Sequence, residues 1–135
     1  MRQRRKNLLK YAQKINCDTL VAFEPENLFY ITGFWGEAIG LLEKNGKTTI
    51  IAPKLEVGRA KEESEDCNVI TAERGTGLLS SLIEKIKKNQ VCTDCQNYFT
   101  MMTLKKYIPK ITSNMEPFYN SQFMYDVKFV YGKLN

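Results

Sequence analysis

The sequence predicts an α/β domain built on a mixed, mostly parallel sheet flanked by helices. Three observations point there. Short apolar runs of strand length alternate with longer stretches of helical period, an order that lays helices on parallel strands. Asn45-Gly46, set between two apolar runs, is a hairpin signal and adds an antiparallel portion. Leu78, Leu79, Leu82, Ile83 and Ile86 form an apolar stripe at helical spacing.

The chain opens with an amphipathic helix over residues 2–15. Leu8, Tyr11, Ala12 and Ile15 share one face, and charge covers the other. Asn16-Cys17-Asp18 ends it. Residues 19–23 are a continuous apolar run, the mark of a strand covered on both faces. Pro25 suits the entry to a short helix or turn over 26–31. Gly33 and Gly36 then bracket Phe34 and Trp35 in a loop. Strands follow at 38–42 and 48–52, joined through Asn-Gly, whose two residues both accept positive φ.

Pro53 ends the second of these strands, and a charged helix runs over 54–63. A strand returns at 67–70. Thr76 is placed to cap the helix that carries the leucine stripe. Residues 90–93 form another short strand. Tyr98, Met101, Leu104 and Ile108 mark a helix that stops at Pro109. Residues 115–119 are expected as a last strand and 120–131 as a terminal helix.

Composition narrows the function. A chain of 135 residues with 43% hydrophobic content is one domain of ordinary globular type. No apolar run approaches the roughly 20 residues that span a bilayer. The basic start resembles a signal-peptide n-region, but only Leu8 and Leu9 follow before Lys10, so no h-region exists. A cytoplasmic location is the expectation. Net charge is +5, and five basic residues fall within the first ten. That cluster reads as a solvated helix start. A nucleic-acid surface would space basic and aromatic residues along one face, so such a partner is disfavoured.

Catalytic and metal chemistry find little purchase. The chain has no histidine, which excludes Ser-His-Asp and Cys-His systems. Cys92-Thr93-Asp94-Cys95 is a single C-x-x-C knuckle, and a structural zinc needs two more ligands. Cys17 and Cys67 stand apart in sequence. Gly75-Thr76-Gly77 lacks the Lys-Ser/Thr of a P-loop. Glu62, Glu63, Glu65 and Asp66 are consecutive enough to face water rather than one ion. No cofactor or metal is expected in this chain.

Two segments carry more. Pro25-Glu26-Asn27-Leu28-Phe29-Tyr30-Ile31-Thr32-Gly33 matches the pattern Pro-x-Asn-x-x-Tyr-x-Thr/Ser-Gly. Pro53-Lys54-Leu55-Glu56 is followed by Ala60-Lys61-Glu62-Glu63. Together they resemble the amino-terminal domain of Xaa-Pro dipeptidases (prolidases) and their creatinase and aminopeptidase P relatives, with the second segment closest to the archaeal-type branch. The resemblance implies a mixed sheet of about six strands. It also implies that catalysis belongs to a second, carboxy-terminal domain, where two Asp, one His and two Glu hold a divalent metal pair. That domain is not expected within these 135 residues. The chain alone is expected to be inactive.

The resemblance assigns roles as well. In the family's dimers the amino-terminal domain of one subunit leans over the active site of the other. The loop after Tyr-x-Thr/Ser-Gly contributes to that contact and to the substrate pocket. Phe34 and Trp35 match that loop by position and are the candidate contact residues. Asn27, Tyr30 and Gly33 are expected to be structural: Asn27 satisfying turn or helix-start amides, Tyr30 packing beneath the loop. A homodimer, or the chain's own catalytic domain, is the implied partner. Two departures stand out. Many bacterial relatives carry Asp-x-Arg-Tyr where this chain has Pro53–Glu56, and the Leu-Arg-x-Ile-Lys junction survives only faintly at 124–129. A stand-alone protein-binding module on the same fold is the alternative.

Overall fold

A computed structural model describes residues 2–119. Six strands form one sheet in the order β4-β3-β2-β1-β5-β6. They are β1 (Thr19–Ala22), β2 (Ile39–Glu43), β3 (Thr48–Pro53), β4 (Asn68–Ala72), β5 (Val91–Thr93) and β6 (Ile111–Ser113). The helices are α1 (Arg2–Lys14), α2 (Pro25–Thr32), α3 (Lys54–Glu63), α4 (Thr76–Ile86) and α5 (Tyr98–Tyr107). The pairs β1–β2 and β2–β3 are antiparallel, while β1–β5, β3–β4 and β5–β6 are parallel. The sheet is thus mixed and mostly parallel, as the sequence pattern predicts.

Strand periodicity divides the core. Val21, Ile39, Leu41, Ile51 and Val91 point to one face, where Leu78, Leu82 and Ile86 of α4 and Met101 and Leu104 of α5 cover them. Leu20, Ala22, Leu42 and Cys92 point to the other, under Leu8 and Ala12 of α1 and Tyr30 and Ile31 of α2. Ile50 and Ala52 meet Leu28, Phe34 and Ala60 on that same side. Burial on both faces is why these strands are continuous apolar runs rather than alternating ones.

Four details differ from the sequence pattern. In the β2–β3 hairpin only Gly46 has positive φ (92°). Its N–H bonds Glu43 O at 2.8 Å, and Asn45 Oδ1 instead accepts from the Lys47 N–H at 2.9 Å. The loop is a turn closed by a left-handed glycine, so Asn45 has no need of positive φ. At α4 the N-cap is Gly75 (φ 70°), with no side-chain cap, and Thr76 is already helical. The last strand is Ile111–Ser113, not 115–119. Residues 116–119 are helical instead: Asn114 Oδ1 accepts from the Glu116 N–H, and Pro117 occupies a first-turn position that needs no donor. The helix expected over 120–131 lies outside the described residues.

The basic amino terminus also departs from a solvated helix start. Arg5 is buried, and its guanidinium donates to Ile31 O (3.0 Å), Asp66 O (3.3 Å) and Glu65 O. It ties α1 to the end of α2 and to the α3–β4 turn. Among the described residues no helix is long and apolar enough to cross a membrane.

Candidate functional site

The loop over residues 33–37 follows α2, and its geometry begins at Gly33. That residue caps α2 at φ 83°, with its N–H on Phe29 O at 2.8 Å. A Cβ there would be strained, which explains the glycine of the motif. Thr32 reinforces the turn. Its hydroxyl donates to Leu28 O (2.7 Å) and accepts from the Phe34 N–H (3.0 Å).

Beyond this turn the two aromatic candidates separate. Trp35 is 49% exposed and meets Phe29 edge-on, ring centroids 6.2 Å apart. Phe34 is 0% exposed and packs among Leu28, Ala38, Ile50, Ala52 and Ala60. Phe34 is therefore core and offers no surface to a substrate or partner. Gly36 makes this possible: a Cβ there would lie 2.5 Å from Phe34 Cζ. The second loop glycine serves close approach rather than freedom to present both rings.

The two sequence motifs meet at this loop. Arg59 of α3 donates from Nη2 to Trp35 O at 2.9 Å, and its guanidinium lies 5.2 Å from the centre of the Phe34 ring. Glu56 and Glu63 hold Arg59 in place, at 2.7 and 3.1 Å. The Glu65 N–H bonds Thr32 O at 2.9 Å. Glu56 of the Pro-x-Leu-Glu segment thus orients the arginine that fastens the Tyr-x-Thr-Gly loop. No pattern in the sequence assigned Arg59 this task.

Asn27 and Tyr30 serve different parts of the fold. Asn27 reaches the helix-start amides through a carboxylate. Its Nδ2 donates to Asp94 Oδ2 at 2.7 Å, and Asp94 accepts the Phe23 and Glu24 N–H groups at 2.7 and 3.0 Å. Asp94 is the residue that sequence reasoning missed. Burial pushes its carboxyl up from the ordinary value, while the three N–H donors pull it down. Tyr30 turns away from the loop, into the cluster with Leu8, Ala12 and Leu20, with Arg4 over its ring at 5.1 Å.

The knuckle around Asp94 is split by the sheet. Cys92 packs on the α1/α2 face and Cys95 on the α4/α5 face. They cannot share one ion. Cys17 instead lies beside Cys92, and burial pushes the Cys92 thiol up to about 12. Among the described residues no three His, Cys, Asp or Glu side chains converge on a metal position.

Trp35 stands at the rim of a cleft of about 710 Å³. Phe23 and Pro25 beyond β1, Ala38 and Ile39 at the start of β2, Leu78 and Leu79 of α4, and Cys95 to Asn97 beyond β5 form its walls. It lies past the carboxyl ends of the parallel pair β1 and β5, where open α/β sheets typically bind ligands. Glu37 on the rim pairs with Arg74 at 3.5 Å.

A mixed six-stranded sheet with helices on both faces, and a Tyr-x-Thr-Gly loop beside a cleft, is the α/β domain found in Xaa-Pro peptidases. The family model for the creatinase/prolidase N-terminal domain matches residues 4–120, and the chain belongs to that family. Among solved structures, the prolidase from Pyrococcus furiosus superposes with a TM-score of 0.68 at 20% identity, over 82% of this chain and 35% of that one. The Xaa-Pro dipeptidase from Bacillus anthracis gives 0.71 at 15% identity, over 82% and 33%. The aminopeptidase P structure from Streptococcus thermophilus gives 0.72 at 17% identity, over 90% of this chain and 98% of that one. This chain spans about a third of the two longer proteins. No curated protein sequence matches it.

Proposed function

We propose that this chain is the non-catalytic domain of an archaeal-type Xaa-Pro dipeptidase-like metallopeptidase, supplying subunit and substrate-pocket contacts. One observation carries the reading: the half-exposed Trp35 ring on the rim of the cleft, on a loop whose Trp35 carbonyl is held by Arg59. A partly exposed aromatic on a fastened loop is a contact anchor that loses little entropy on binding. The metal pair would belong to the catalytic domain, and this chain would not hydrolyse dipeptides alone. A cytoplasmic setting and a homodimer fit the same reading.

The test begins with the transcript beyond codon 135. A continuation encoding spaced Asp, Asp, His, Glu and Glu supports the reading, and Trp35→Ala in that longer protein should then weaken dipeptide turnover or subunit association. A stop codon there, with no activity rescued by any second chain, overturns it. The alternative would then stand: a stand-alone protein-binding module. One feature favours that alternative, the exposed Tyr98 and Phe99 (71% and 75%) at the start of α5.

A further inference from the structure

A second concavity lies far from Trp35 in the fold, between the start of α1, the β2–β3 hairpin and the α3–β4 turn. Its volume is about 790 Å³, and three separate elements line it. Arg2, Arg5 and Lys6 come from α1, Lys44 and Lys47 from the hairpin, and among the described residues Asp66 is the one acidic residue on its wall. Cations from distant parts of the chain converge on one hollow, which a solvated helix start does not require.

The arrangement runs against local electrostatics. A helix amino terminus carries a partial positive charge and favours acidic neighbours. The first turn of α1 has no acidic residue. The hairpin then brings two lysines to the same wall, adding like-charge repulsion. Among the described residues, Arg2, Lys6, Lys44 and Lys47 form no ion pair that would relieve it. Five cations face one acidic residue among the described lining, so the wall's charge is largely uncompensated, and local rules broken in this way are expected at functional sites.

Arg5 fixes the hollow's shape. Its guanidinium is spent on Ile31 O, Glu65 O, Asp66 O and Cys67 Sγ, so it locks α1 against the turn. The hairpin is held by its own closing bonds, Glu43 N–H to Lys47 O at 2.9 Å and Gly46 N–H to Glu43 O at 2.8 Å. The four exposed cations therefore project from a preformed frame.

We propose that this hollow binds a compact soluble polyanion carrying several phosphates. The volume falls within the range of roughly 300–1,000 Å³ typical of small-ligand sites. Among the described residues the lining has no aromatic side chain, so they offer a base or sugar-linked ring no stacking surface. That disfavours nucleotides and single-stranded nucleic acid, and leaves the phosphates themselves as the recognised groups.

The experiment uses the 135-residue chain and inorganic tripolyphosphate as probe, followed by calorimetry at moderate salt. Saturable one-to-one binding is expected, weaker for orthophosphate. Lys44→Gln with Lys47→Gln should weaken it by about tenfold or more, and Arg2→Gln with Lys6→Gln by a similar factor. These side chains are exposed, so folding should survive. Lys87→Gln with Lys88→Gln removes the same charge elsewhere on the surface and should change affinity less than about twofold. Equal losses from the hairpin and control pairs would show diffuse attraction and overturn the proposal. So would the absence of saturable binding, or a single-stranded oligonucleotide binding tightly where tripolyphosphate does not.

Discussion

Asn27 of α2 donates its side-chain amide to the buried carboxylate of Asp94, 2.7 Å away and 67 residues later in the chain. This bond joins the family motif to the end of β5. It does so at the point where Asp94 also holds the Phe23 and Glu24 amides. Three donors on one carboxylate fix the turn that launches α2, and α2 in turn sets the direction of the Trp35 loop.

Asn27→Ala should therefore cost more than a surface change. It leaves a buried carboxylate short of a donor, a loss of about 1.5–3 kcal/mol. Asp94→Ala strands the Phe23 and Glu24 amides as well and should cost at least as much. The double mutant should cost clearly less than the two added together, since the second change removes a bond already broken. Urea denaturation of the four proteins measures this. Strict additivity would show that the bond carries no coupling.

Gly36→Ala tests the burial of Phe34. The added Cβ would meet Phe34 Cζ at 2.5 Å, and that ring has no exposed surface to retreat into. Overpacking of this kind costs about 1–3 kcal/mol. Gly58→Ala is the control, because nothing lies within 4 Å of its Cβ position and it sits inside α3. There the change should be neutral or stabilising by up to about 1 kcal/mol. Thermal melts of both variants decide the matter.

The contrast between these sites shows what a sequence discloses. Val21 and Leu41 lie in apolar runs, and such runs identify strands directly. The stripe from Leu78 to Ile86 likewise announces α4. What stayed hidden depends on distance along the chain. Arg59 reaches a carbonyl 24 residues away, and Asp94 serves a turn 70 residues before it. Phe34 and Trp35 are neighbours with the same chemistry, and only the sheet decides which is buried. The 111–113 strand was hidden differently: one apolar residue at an edge gives too weak a period, whereas Asn114 and Pro117 were a readable helix start.

Cys92 should make the protein sensitive to alkaline pH. Burial, with Cys17 beside it, raises its thiol from the ordinary value of 9.0 to about 12. A folded-state pKa above the unfolded one contributes stability that is present below about pH 9 and is lost as pH rises toward 12. Urea midpoints should fall across that window, and Cys92→Ala should flatten the slope. At pH 8, iodoacetamide should label Cys67 well before Cys92. Equal labelling rates in the folded protein would contradict the buried thiol.

Trp35 and Phe34 offer the sharpest comparison, because one substitution type separates surface from core within a single loop. Phe34→Ala empties a fully buried site and should cost about 3–5 kcal/mol. Trp35→Ala removes a ring that is half in solvent, and its edge-on contact with Phe29 is worth only about 0.5–1.5 kcal/mol. Its total cost should stay below about 1.5 kcal/mol. Arg59 still holds the Trp35 carbonyl in that variant, so the loop keeps its path. Urea denaturation gives both values. A small loss at Trp35 together with weakened association or dipeptide use in the longer protein would fit a contact ring. A loss as large as that of Phe34 would make Trp35 part of the core, and the loop would have no claim as a contact surface.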